Sequence, residues 1–153
     1  MTGGAATPAV GAPALERAAD RLIGLAFAED FPGGDITTES LMGPQDEGRA
    51  VVLAMEPLVL AGAWVAARVF RRLDPDVRCR VCLEEGARAE AGATLLELSG
   101  RLRPLLTGER TALNFLQRLS GIATQARAFV ARLPEGSRTR IVDTRKTAPG
   151  WRL

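Results

Sequence analysis

From about Thr107 to Leu133 a stripe of small and apolar side chains runs without a break. Ala112, Leu116, Leu119, Ala123, Ala126, Val130 and Leu133 step by four and three, and Phe115, Ile122 and Phe129 widen it. Only an α-helix brings that spacing onto one face. A long helix with one apolar face needs a layer to bury it against, so the rest of the fold has to be built around this element. Thr107 reads as its N-cap, with Glu109 in the positive first turn. Gly121 lies in its interior, where glycine costs about 1 kcal/mol relative to alanine, which suggests close packing or a bend. Leu133-Pro134 ends the helix, and Arg138–Val142 reads as a short strand leading into Asp143-Thr-Arg-Lys-Thr147.

Upstream the pattern is mixed. Residues 1–12 are small and flexible and read as a disordered lead, without the basic start and apolar run of a signal peptide. Leu15, Ala18, Ala19, Leu22, Ile23 and Ala26 predict an amphipathic helix from Pro13 to about Ala28, stopped by Phe31-Pro-Gly-Gly-Asp35. Ile36–Leu41 is polar and reads as a loop. Arg49–Met55 and Leu58–Leu60 have strand composition, and Gly62 opens a helix that runs to Leu73 before Asp74-Pro75. Val77–Leu83 and Leu95–Leu98 are further strands, with turns at Glu85-Gly86 and Ala91-Gly92. Closely spaced strands mixed with helices predict an α+β fold. The helix and strand that follow look like the first unit of a repeating helix–strand architecture, and one unit can neither close a barrel nor cover a sheet on both faces. The pattern therefore reads as part of something larger.

Composition removes several kinds of chemistry. The chain has no histidine, which excludes Ser-His-Asp and Cys-His catalysis and the commonest metal ligand from these 153 residues. A net charge of +2 demands neither nucleic acid nor an anionic membrane, and no run approaches the roughly 20 apolar residues of a membrane span. Cys79 and Cys82 form a CxxC spacing, but residues three apart on a strand point to opposite faces, so the thiols should not meet. They read as structural cysteines, and free thiols fit a reducing cytoplasm.

Almost all the cations are arginine, and Lys146 is the sole lysine. It stands beside Arg145 at the carboxyl end of the expected strand Arg138–Val142, which is where parallel α/β folds bind substrates. A guanidinium fork next to an ammonium suits an acidic ligand. From position alone a solvated turn explains the pair equally well. Arg110 beside Glu109 reads locally as a surface ion pair. Asn114, Gln117 and Gly121 continue a polar stripe that faces solvent or a partner.

Four segments in order carry a resemblance: Gly34-Asp-Ile-Thr-Thr-Glu-Ser-Leu41, Glu109-Arg-Thr-Ala-Leu-Asn114, Leu119-Ser-Gly-Ile-Ala-Thr124 and Asp143-Thr-Arg-Lys-Thr147-x-Pro149-Gly150. Together they are similar to the signature of the nicotinate-nucleotide pyrophosphorylases (carboxylating), the quinolinate phosphoribosyltransferases, over their N-terminal half. The resemblance implies an N-terminal α/β sandwich domain over 13–106, followed over 107–153 by the first helix and strand of an incomplete β/α barrel. It implies transfer of a phosphoribosyl group from phosphoribosyl pyrophosphate to quinolinate with loss of carbon dioxide, giving nicotinate mononucleotide. Magnesium (Mg2+) would accompany the pyrophosphate, held mainly by residues beyond Leu153.

By the same resemblance Arg145 and Lys146 match positions that bind the quinolinate carboxylates, and Arg110 matches an arginine reaching into the partner subunit's site in a homodimer. The parent would be the enzyme, with no catalytic residue in this segment and no turnover by it alone. Two alternatives stand beside this reading: a molybdenum-transport-associated paralogue of the same superfamily, and a non-catalytic dimerisation module presenting the long helix.

Overall fold

A computed structural model of the chain describes residues 12–144 and 146–148. Its elements are α1 (Ala12–Asp30), α2 (Ile36–Leu41), β1 (Glu47–Leu53), β2 (Leu58–Val59), α3 (Ala63–Leu73), β3 (Arg78–Val81), β4 (Arg88–Ala89), β5 (Thr94–Arg101) and α4 (Leu102–Val130). The fold is the expected mixture of helix and sheet. The 1–12 lead lies outside the described residues except for Ala12, which already belongs to α1.

β5 is the centre of a three-stranded antiparallel sheet, ordered β1-β5-β3. Its register aligns Ala50, Leu98 and Cys79 in one row and Val52, Leu96 and Val81 in the next. Leu96 and Leu98 are buried, so this face is the inner one. Rows one residue away point outward, where Glu97 pairs with Arg80 at 2.6 Å. α3 and α4 pack together against the inner face, and α1 packs on α4. Ile23, Leu60, Val69, Phe70, Leu96 and Phe115 form the middle of the core. The second sheet is the antiparallel pair β2-β4, and the connection between β3 and β4 supplies Glu85. That carboxylate accepts from the backbone N–H of Gly62 (2.8 Å) and Trp64 (3.3 Å), satisfying donors at the amino end of α3.

Cys79 is half-buried on the inner face, where burial pushes its thiol pKa up, and Cys82 lies just past β3. Both are free, as expected.

Four expectations change. Ile36–Leu41 is a helix, not a loop: Asp35 caps it by accepting from Thr38 N–H at 3.0 Å, and six residues are too few to show a helical period. α4 begins at Leu102, so Thr107 lies inside it and caps nothing. Pro104 is compatible with this earlier start because it falls in the first turn, where its missing N–H has no partner to lose. Gly121 is neither tightly packed nor followed by a break in α4: a Cβ there would meet nothing within 4 Å. The close approach is at Gly108, where a Cβ would lie 2.9 Å from Leu73 Cδ1 and 3.0 Å from Phe70 Cδ1. Finally, Arg138–Val142 forms no strand and is exposed. A strand exists only as a ladder with a neighbour, and the described ladders, β1-β5-β3 and β2-β4, do not include this segment.

Candidate functional site

Polar contacts are concentrated along the first half of α4. Arg103, Thr107 and Thr111 are spaced by four, which stacks them on one face of the helix. Each is held by the segment 30–42. Arg103 donates to the carbonyls of Met42 (2.9 Å) and Glu39 (3.0 Å). Thr107 Oγ1 donates to Asp35 Oδ2 at 2.9 Å, and Thr111 Oγ1 to Asp30 Oδ2 at 2.6 Å. Asp35 also accepts from the Thr38 hydroxyl at 2.6 Å. Its pKa lies below the usual aspartate value, chiefly through that hydroxyl, with the Thr38 N–H and the Thr107 hydroxyl adding to it. Two of the recognised segments, Gly34–Leu41 and Glu109–Asn114, are therefore fastened to one framework.

A third segment fastens α4 to β2. Ser120 Oγ accepts from Ala61 N–H at 3.0 Å and donates to Ala61 C=O at 3.1 Å. Thr124 Oγ1 accepts from Val59 N–H at 2.8 Å. These hydroxyls satisfy backbone groups of Val59 and Ala61, at the end of the short strand β2.

Arg110 lies on this anchored stretch, exposed, and makes no ion pair among the described residues; the local pair with Glu109 does not form. Asn114, Gln117 and Gly121 are exposed as expected. Lys146 is also exposed, and its backbone N–H donates to Thr144 Oγ1 at 3.2 Å. Arg145 lies outside the described residues. No hydrogen bond or ion pair joins Arg110 to Lys146, and Arg110 is roughly 30 Å of helix away from Val130, at 1.5 Å per residue. The hydrogen bonds and ion pairs of the described residues thus do not bring Arg110 and Lys146 together.

Sequence reasoning missed Asp30, Asp35, Thr111, Ser120 and Thr124 as anchors. The available signal was the four-residue spacing of hydroxyls on α4. Among the described residues no three of His, Cys, Asp and Glu group so as to hold a metal ion. Asp30 and Asp35 already accept from hydroxyls.

Residues 35–120 match the family model described as quinolinate phosphoribosyl transferase, N-terminal domain. The chain belongs to the quinolinate phosphoribosyltransferase family. It is 45% identical over 127 residues to a probable nicotinate-nucleotide pyrophosphorylase [carboxylating] of Synechocystis sp., covering 83% of this chain and 42% of that protein. The corresponding Bacillus subtilis protein is 38% identical over 133 residues, covering 87% and 45%. Among solved structures, NadC from Streptococcus pyogenes superposes with a TM-score of 0.80 at 39% identity, covering 85% of this chain and 47% of that one. The chain spans under half the length of these relatives. The family match begins at Asp35, the cap of α2, and ends at Ser120, so it takes in Arg103, Thr107, Thr111 and Ser120 of α4 and stops short of Thr124. No described helix is long and apolar enough to cross a membrane.

Proposed function

We propose that the protein carrying this chain transfers the phosphoribosyl group of phosphoribosyl pyrophosphate to quinolinate in the cytoplasm, and that this chain supplies arginine and lysine contacts to the substrate. The observation that carries the reading is Arg110, exposed and without an ion pair on an anchored helix in a family whose members are named for this reaction. Quinolinate is a dianion. Arg145 and Lys146 grip its carboxylates, and Arg110 adds a third cation from the neighbouring subunit of a homodimer. Two guanidiniums and an ammonium favour a dicarboxylate over neutral analogues.

Fixing both carboxylates points the ring nitrogen at the anomeric carbon of the ribose. The nitrogen lone pair forms the new C–N bond as the bond to pyrophosphate breaks. The 2-carboxylate then leaves as carbon dioxide, its electron pair stays on the ring carbon, and a proton replaces it. This chain contributes positioning and charge. Magnesium, when bound, would neutralise the leaving pyrophosphate. The barrel would start with α4, whose first turns already belong to the sandwich core through Leu105 and Ala112.

The homodimer draws support from apolar side chains left in solvent. Met55, just past β1, is 89% exposed, Val51 within β1 is 58% exposed, and Ile122 on α4 is 53% exposed. Such surface is what a partner covers.

In a full-length protein carrying this chain, Arg145→Ala weakens quinolinate binding by about 2–3 kcal/mol, because a charged ligand group is left unpaired. Titration calorimetry with quinolinate reads this directly, and wild-type affinity removes Arg145 from the site. The isolated 153-residue chain forms no nicotinate mononucleotide from the two substrates. A discrete dimer that binds no quinolinate even in the full-length protein would favour the dimerisation module instead.

A further inference from the structure

We infer that Asp30 and Asp35 are positioning residues for Arg110, acting through Thr111 and Thr107; this rests on reading Arg110 as a substrate arginine. Where Arg110 points depends on the rotation of α4 about its own axis. Apolar packing seats the helix but is not directional at any one contact. A hydrogen bond to a carboxylate has a fixed length and direction. Arg110 follows Thr107 by three residues and precedes Thr111 by one, so the two hydroxyls bracket its Cα on adjacent turns.

The acceptors suit this task. Thr111 is 1% exposed, so its hydroxyl has no water to turn to, and Asp30 at 2.6 Å is its acceptor. Asp35 Oδ2 accepts from two hydroxyls at once, those of Thr38 and Thr107, while Oδ1 accepts the Thr38 N–H. An amide in its place would be neutral and would have to donate to both hydroxyls, reversing them, so the charge-assisted bonds to Thr38 and Thr107 would be lost. Asp35 therefore ties the cap of α2 and the rotation of α4 into one unit. The base of the Arg110 side chain is fixed, while its guanidinium has no ion-pair partner among the described residues.

The test is a double-mutant cycle in a full-length protein carrying this chain. Thr111→Val and Asp35→Asn each raise the KM for quinolinate roughly fivefold, the worth of one hydrogen bond, and change kcat less. Thr111→Ser restores the wild-type KM. In an Arg110→Ala background the same substitutions change KM by less than about twofold, because no arginine remains to be aimed. Equal losses in both backgrounds mean that these residues only stabilise the fold, and they overturn the inference. A wild-type KM in folded Thr111→Val does the same. If Thr111→Val does not fold, Thr107→Val carries the cycle. An unchanged KM in Arg110→Ala by itself would instead remove the substrate reading of Arg110.

Discussion

Asp74 closes α3 and Arg101 precedes α4, and the guanidinium of Arg101 donates to both carboxylate oxygens of Asp74, at 2.7 and 2.8 Å. The carboxylate is 3% exposed and also accepts from Asp76 N–H at 3.0 Å. Two helices that pack side by side are thereby tied at one end.

The tie makes stability depend on acid. The Arg101 hydrogen bonds hold the Asp74 carboxyl below its ordinary value of 3.8, with the Asp76 amide adding to the effect. A carboxyl lowered in the folded state contributes stability that is fully present above its unfolded value and is lost as pH falls through the folded one. Asp74→Asn should therefore lower the urea midpoint at pH 7, and its difference from wild type should shrink below about pH 4. Asp20 and Asp35 are also lowered, by Arg68 and by Thr38 respectively, so wild type keeps losing stability in acid. A midpoint difference that stays constant from pH 7 to pH 3 would argue against the tie.

The two glycines of α4 should respond in opposite directions. Gly108→Ala drives a methyl against Leu73 and Phe70, and overpacking of this kind costs about 1–3 kcal/mol, more than the helix preference returns. Gly121→Ala meets open space and should stabilise the chain by up to about 1 kcal/mol. Denaturant unfolding of the two variants compares them directly, and equal effects would remove the close approach at Gly108 as the cause.

Mixing full-length Arg110→Ala with Arg145→Ala should give more activity at limiting quinolinate than either variant alone. In a hybrid dimer one site keeps both arginines and the other loses both, so random exchange gives about one good site in four. Steady-state assays after subunit exchange measure this. Exchange without recovery places Arg110 and Arg145 in the same subunit's site, or leaves Arg110 outside it.

Elements set by a repeating apolar period were legible from the residues alone. α1 and α3 fall where Leu15–Ala26 and Gly62–Leu73 put them, and β1, β3 and β5 shift by a few residues, because strand ends depend on which neighbour continues the ladder. α2 was not legible, since its stability comes from Asp35 and from contacts with α4, sixty residues away in sequence. The same holds for Arg138–Val142, whose composition suits a strand but whose pairing needs a neighbour. Within the site, Arg110 could be singled out by resemblance, and its exposure agrees with that role. The carboxylates beneath it could not, because a single threonine on a helix says nothing about what lies opposite. Only the spacing of Arg103, Thr107 and Thr111 hinted that one helix face meets a polar surface.

That spacing, with Ser120 and Thr124 further along, has a mechanical consequence. A slip of α4 by one residue is about 1.5 Å along the axis and 100° around it, and it would break every one of these contacts together. The helix is keyed into its seat at two stations, like a shaft held by two splines. A push or twist applied beyond Thr124 therefore cannot be absorbed by sliding. It passes whole to β2 and to the segment 30–42, so these elements and the helix turn as one body.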